Sequence, residues 1–170
     1  MTTGTATPTK INSMNFEEIK LRFDEDMSKE EGHKIMLKVS EIINDVGSNF
    51  LTMNGGELAE AQSKLAGYKF YLADFMGEIN RMFESLKLGI KHVRATEWDR
   101  ITEEVKAKEG KVKNKEQIEN VINKMTFEDQ ARCMLYETTY NKYRLKISSI
   151  DSILTAIAQR VAEIKRQMTQ

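Results

Sequence analysis

The chain's 170 residues suffice for one ordinary domain, and 40% are hydrophobic, yet no stretch approaches the ~20 uncharged apolar residues that cross a bilayer. One Pro and many Glu, Lys, Ile, Leu, Met and Ala residues are hard to reconcile with a sandwich or barrel, which needs a turn signal every ~8–12 residues, and an all-α fold is expected. Acids and bases balance at 26 each, but residues 1–57 carry six Lys/Arg against ten Asp/Glu, so the front is acidic and the remainder basic.

The segment from Met1 to Thr9 is Thr-rich without a basic stretch leading into an apolar run, so it reads as a floppy tail rather than a secretory signal. Residues 1–27 as a whole are expected to form a flexible acidic N-terminal tail, followed by a single helical domain over 28–170. The first firm helix is predicted over 28–47: Ser28-x-x-Glu31 matches a capping box, Ile35, Val39, Ile42 and Val46 follow at helical spacing, and Gly47 closes it. Asn54-Gly55-Gly56 marks a turn.

A long helix is predicted over 57–108. One heptad column reads Leu58, Leu65, Leu72, Ile79, Leu86, Val93, and a second, three residues on, reads Ala61, Tyr68, Phe75, Met82, Gly89. A further apolar column, Met76, Phe83 and Ile90, widens its face beyond a two-helix seam, so a third element should cover it, either the helix at 35–46 or another subunit. Gly67, Gly77 and Gly89 permit bends or close helix approach. Trp98, Ile101 and Val105 extend this helix to a polar tip around Gly110, carrying Lys106, Lys108, Lys111, Lys113 and Lys115.

A short helix is predicted over 115–125 from Ile118, Val121, Ile122 and Met125, and Thr126 with Asp129 resembles a fresh N-cap for a last helix over 127–168. That helix carries Cys133, Tyr140, Ile147, Leu154, Val161, Met168 in one column and Tyr136, Tyr143, Ile150, Ile157, Ile164 in the other. The two long stripes match in length, which predicts a long antiparallel helical hairpin of coiled-coil type, with the short N-terminal helix packed on it and a helical excursion at the tip. Leu65, Leu72, Ile79, Leu86, Ile147, Leu154, Ile157 and Val161 are the predicted seam, and a seam so long with so little covering it points to a homo-oligomer.

Chemistry has little to work with. His33 and His92 lie far apart, and the Glu30-x-x-His33 pair lacks the second pair that a carboxylate di-iron bundle needs, so no metal is expected. Cys133 is the one cysteine, has no disulfide or CxxC partner, and falls on the seam, which suits a packed thiol in a reducing cytoplasm. No phosphate loop or catalytic triad is visible, so neither an enzyme nor a cofactor is expected, nor a membrane partner.

Basic residues are the better material. Lys87, Lys91 and Arg94 fall at i, i+4 and i+7, with Arg81 earlier, forming a cationic ridge; on the last helix Arg160, Lys165 and Arg166 belong to a basic majority. Such surfaces hold phosphates by charge, although Lys and Arg also simply coat exposed helix faces. Phe70 and Trp98 are the best-placed stacking aromatics, Tyr136, Tyr140 and Tyr143 being seam residues.

A short N-terminal helical part, a long helix ending in Lys87-x-x-x-Lys91-x-x-Arg94, a polar excursion, and a final helix reading Tyr143-x-Leu145 through Ile153-Leu154-x-Ala156-Ile157-x-x-Arg160-x-x-x-Ile164-Lys165 together resemble the UvsY-type recombination mediators of T-even-like phages, over roughly residues 58–168. The resemblance implies a non-enzymatic all-α protein that forms a ring-like homo-oligomer, binds single-stranded DNA, and helps load a RecA-like recombinase onto DNA covered by a single-strand-binding protein. The family's Lys-x-Arg pair corresponds to Lys91 and Arg94, between which His92 and Val93 intervene here. Two alternatives stay open: a virion or scaffold-type assembly protein using the hairpin only to oligomerise, and a phage inhibitor or anti-defence protein using Glu17, Glu18, Asp24, Glu25 and Asp26 as a decoy.

Overall fold

The computed structural model describes residues 15–109 and 114–169, and among them the regular structure is all helix: α1 Phe16–Lys29, α2 Glu31–Asn49, α3 Gly55–Glu109, α4 Lys115–Met125 and α5 Phe127–Thr169. Fifty-five residues make α3 about 80 Å long at 1.5 Å per residue. Its start is fixed by Asn54, whose Oδ1 accepts from the backbone N–H groups of Gly56 and Glu57 while Glu57 Oε2 accepts from the Asn54 N–H at 2.8 Å, a reciprocal cap at the predicted turn.

The hairpin is antiparallel. As α3 ascends, its partners descend: Lys69 Nζ lies 2.6 Å from Asp151 Oδ1, the Phe75 ring tilts against Tyr143 at 5.3 Å, and Arg94 donates to Asn123 Oδ1 on α4. The return limb is broken at Thr126, where the predicted N-cap is absent. The Thr126 hydroxyl instead donates back to the Ile122 carbonyl at 2.9 Å and accepts from the Gln130 side chain at 2.7 Å, so a buried threonine satisfies itself at the bend.

The main core joins α2, α3 and α5: Leu58, Leu65, Leu72, Tyr143, Ile150 and Ile157 are sealed from solvent, with Val39 and Val46 laid over them. Of the predicted seam, Leu65, Leu72, Ile79 and Ile157 are buried and Ile147, Leu154 and Val161 are half-buried against the same core; Leu86 is half-buried but outside it. Met82 and Met168, also on heptad columns, are exposed, Met82 at the edge of the cavity beneath α1. A second cluster, Ile101, Val105, Ile118 and Ile122 with Trp98, holds α4 to the far end of α3. Between the clusters lies a waist in which Phe83, Leu86, Ile90 and Val93 are half-buried and belong to neither core. Of the third column, only Met76 joins the main core.

The first helix departs from expectation. Residues 1–14 lie outside the described residues, but the rest of the predicted tail is α1, started by Asn15 and Glu18 in a reciprocal capping box. Ser28 sits at the end of α1 and donates to the Glu25 carbonyl at 2.7 Å, so Ser28 and Glu31 form no box. The chain breaks at Glu30, in extended backbone with φ −68° and ψ 140°, and restarts as α2, which runs past Gly47 to Asn49. Ile19 and Phe23 bury α1 against α5, the Phe23 ring meeting Tyr136 edge-on at 4.8 Å. Nothing approaches within 4 Å of a Cβ built on Gly67, Gly77 or Gly89, so these glycines serve no close contact among the described residues.

Tyr143 carries an electrostatic signature of this core. It is 1% exposed, its hydroxyl has no hydrogen-bond partner among the described residues, and burial, then the Glu30 carboxylate, pushes its phenol up to about 12. An acid whose pKa is raised by folding contributes stability present below its unfolded value near 10 and lost as pH climbs through the folded value. Urea titrations should therefore show about 2–3 kcal/mol of stability disappearing between pH 10 and 12. Tyr143→Phe should abolish that alkaline component and, by removing an unpaired hydroxyl, leave neutral-pH stability unchanged or raised by ~1 kcal/mol.

Candidate nucleic-acid interface

Lys87, Lys91 and Arg94 stand on consecutive turns of α3 at the waist, all exposed. Along the axis they span about 10 Å. Lys87 Nζ lies 3.4 Å from Glu84 Oε1 and 4.7 Å from the Phe83 ring centre, exposed contacts that cost little to leave. Lys91 is in no ion pair among the described residues. Arg94 spends one nitrogen on Asn123, tying the ridge to α4. The ridge borders the half-buried Phe83, Ile90 and Val93, and a shallow depression beside it is lined by Arg94, Ala95, Trp98, Glu119, Ile122 and Asn123. Trp98 is thus half-buried in the tip core, whereas Phe70 is 74% exposed but more than four turns from Lys87.

The other predicted cations are elsewhere. Arg81 lies about 120° around α3 from Lys87, pairs with Glu78 at 3.8 Å, and faces a depression shared with Met82, Arg132 and Tyr136. Arg160 is a structural anchor: its side chain is largely covered, Nη2 donates to the Leu51 carbonyl at 3.4 Å, Nη1 pairs with Glu163 at 3.3 Å, and Nε is buried. It fastens the loop between α2 and α3. Lys165 and Arg166 are exposed near the end of α5, beside the start of α3, whereas Lys91 stands thirty-six residues beyond Gly55, about 54 Å away. One copy therefore presents two separate basic sites, not one ridge.

Sequence reasoning also missed polar ties between elements, which only the fold brings together. Lys69 meets Asp151 across the hairpin, and Lys146 Nζ donates to Ser40 Oγ at 2.9 Å, joining α5 to α2. Burial raises the Cys133 thiol above its ordinary range, outweighing the nearby Lys87, so a thiolate is disfavoured there. Among the described residues no three His, Cys, Asp or Glu groups gather in a way that could hold a metal ion, and no helix is long and apolar enough to cross a membrane.

Compared with protein-family models, curated proteins and solved structures, the chain matches none.

Proposed function

We propose that this protein is a non-enzymatic, self-associating single-stranded DNA-binding protein that acts as a recombination mediator, helping a RecA-like recombinase onto strands held by a single-strand-binding protein. The observation that carries the reading is the Lys87–Lys91–Arg94 face, exposed on one long helix at the waist between the two cores. Three cations at axial intervals of about 6 and 4.5 Å line one side of the helix and engage phosphates by charge rather than by sequence. Each copy would bind weakly. Repeating the face around an assembly multiplies the effective concentration, giving tight, salt-sensitive binding of a wrapped strand.

The test is a salt titration of binding to an unstructured single-stranded oligonucleotide. Replacing Lys87, Lys91 and Arg94 together with Ala should lower the slope of log K against log salt by about 2 per copy, at ~0.7 per phosphate contact, with solution mass unchanged. Binding that is absent, or that persists unchanged as salt is raised several-fold, sinks the electrostatic reading. A second reading, a helical assembly protein with no nucleic-acid partner, is favoured by the half-buried Phe83, Leu86, Ile90 and Val93 at the waist, and predicts solution assembly without any DNA binding. The inhibitor reading loses ground because the acidic segment is not a free arm end but is helical and seated on α5.

A further inference from the structure

We infer that α1 is an exchangeable arm, which seats in the α5 groove of its own chain or of a second copy, with Glu30 as the hinge. This rests on the self-association part of the proposed function and names the surface that performs it.

Three observations converge. First, the arm is loosely held: only Ile19 and Phe23 are buried, and a cavity of about 170 Å³ remains beneath it, between Phe23 and Met27 on one side and Phe75, Ile79 and Met82 on the other. Second, no proline forces the break, and Gly32 just beyond it only weakens a continuous helix. Ser28, Lys29, Glu30 and Glu31 all tolerate helix, yet Glu30 is extended and makes no side-chain cap for α2, leaving N–H groups at the start of α2 unpaired. Turning Glu30 helical would merge α1 and α2 into one rod, Phe16–Asn49, and recover those bonds.

Third, the rod cannot cover its own apolar face. Phe23 lies twelve residues before Ile35, hence 120° around a continuous helix, and Ile19 lies further round still. With α2 pinned on the hairpin through Ile35 and Val39, a straight arm turns Ile19, Phe23 and Met27 away from its own α3 and α5. The matching vacated surface, Ile79, Met82 and Tyr136, is present on every copy, so the chemistry that fits it is the α1 of a neighbour making the same contacts. The bent chain satisfies itself; the straight chain needs a second copy.

The hinge can be locked by one residue. Glu31 is the first residue of α2, its N–H has no backbone partner, and the residue before it is already extended, so Glu31→Pro suits the bent form. In a continuous helix the same proline sits in the interior, where it is disfavoured on the order of a hundredfold. Sedimentation over a range of concentrations should show the wild type assembling, Glu31→Pro needing roughly a hundredfold higher concentration, and Glu30→Ala a lower one, with helix content by circular dichroism equal in all three.

Independently of folding by the proline variant, two singly substituted copies in a Cys133→Ser background, Arg22→Cys in one and Arg132→Cys in the other, place thiols on the two sides of the same cavity. Mixed and treated with a short bismaleimide, they should give a mixed covalent dimer. Assembly by Glu31→Pro at wild-type concentrations, or no mixed dimer from an assembling protein, overturns arm exchange and leaves self-association standing. A wild type that is monomeric at every concentration overturns both, and the oligonucleotide titration separately decides DNA binding.

Discussion

Replacing Leu72 with aspartate is expected to abolish the native state. Leu72 is fully buried midway along the seam, between Leu65 and Ile79 on its own helix and under the aromatic pair Phe75 and Tyr143. Truncating such a side chain alone costs ~2–5 kcal/mol, and the carboxylate adds the penalty of a buried, unpaired charge, so the total approaches the ~5–15 kcal/mol that holds a domain together. The same charge at Leu154 should cost much less, because that half-buried side chain can turn its polar end to water. At Leu86, outside both cores, it should leave the urea midpoint nearly untouched. Midpoints from urea unfolding, with helix content by circular dichroism, measure the gradient. A Leu72→Asp variant with a wild-type midpoint would refute the register that Lys69–Asp151 and Phe75–Tyr143 define.

The buried face of α3 was legible because heptad spacing is a local signal, whereas its register against α5 was not. Leu58, Leu65, Leu72 and Ile79 repeat every seven residues and all four are buried. The same pattern overreached at Met82 and Met168, since periodicity says which face a residue is on and nothing about whether a neighbour arrives there. The first helix was misread for a related reason. Its acidic composition suggested solvation, yet Ile19, Phe23 and Met27 recur every four residues behind an Asn15-x-x-Glu18 box, the very signals used for the later helices. The Ser28-x-x-Glu31 pattern was read as the first box instead, but in the fold Ser28 ends α1 and donates to the Glu25 carbonyl.

Of the candidate site, the cluster Lys87, Lys91 and Arg94 could be read from helical spacing alone. The role of Arg160 could not, because its partner, the Leu51 carbonyl, is 109 residues away in sequence and comes near only when the hairpin closes. Arg81 fails for a purely geometric reason: six residues from Lys87 is not a whole number of helical turns.

Gly32→Ala is expected to be the most damaging glycine-to-alanine change among the described residues. Gly32 is buried in the first turn of α2, and a Cβ there would lie 2.2 to 2.6 Å from three atoms of the Phe75 ring. The ring has little room to yield, since Tyr143 is packed against it and is itself sealed in the core. Alanine gains about 1 kcal/mol of helix propensity over glycine, but overpacking a rigid contact costs ~1–3 kcal/mol, and the ring must shift by about 1 Å to restore ordinary contact, placing this site at the upper end. The net should be destabilisation of roughly 1–2 kcal/mol, seen as a lower urea midpoint with unchanged slope. Trimming the obstacle should reverse the sign of the alanine: in a Phe75→Leu background, Gly32→Ala should cost nothing or stabilise, giving a coupling above ~1 kcal/mol in the double-mutant cycle. Additive effects of the two substitutions would mean that α2 does not enter the hairpin against Phe75, and the seating of the Glu30 hinge beside it would fall with that contact.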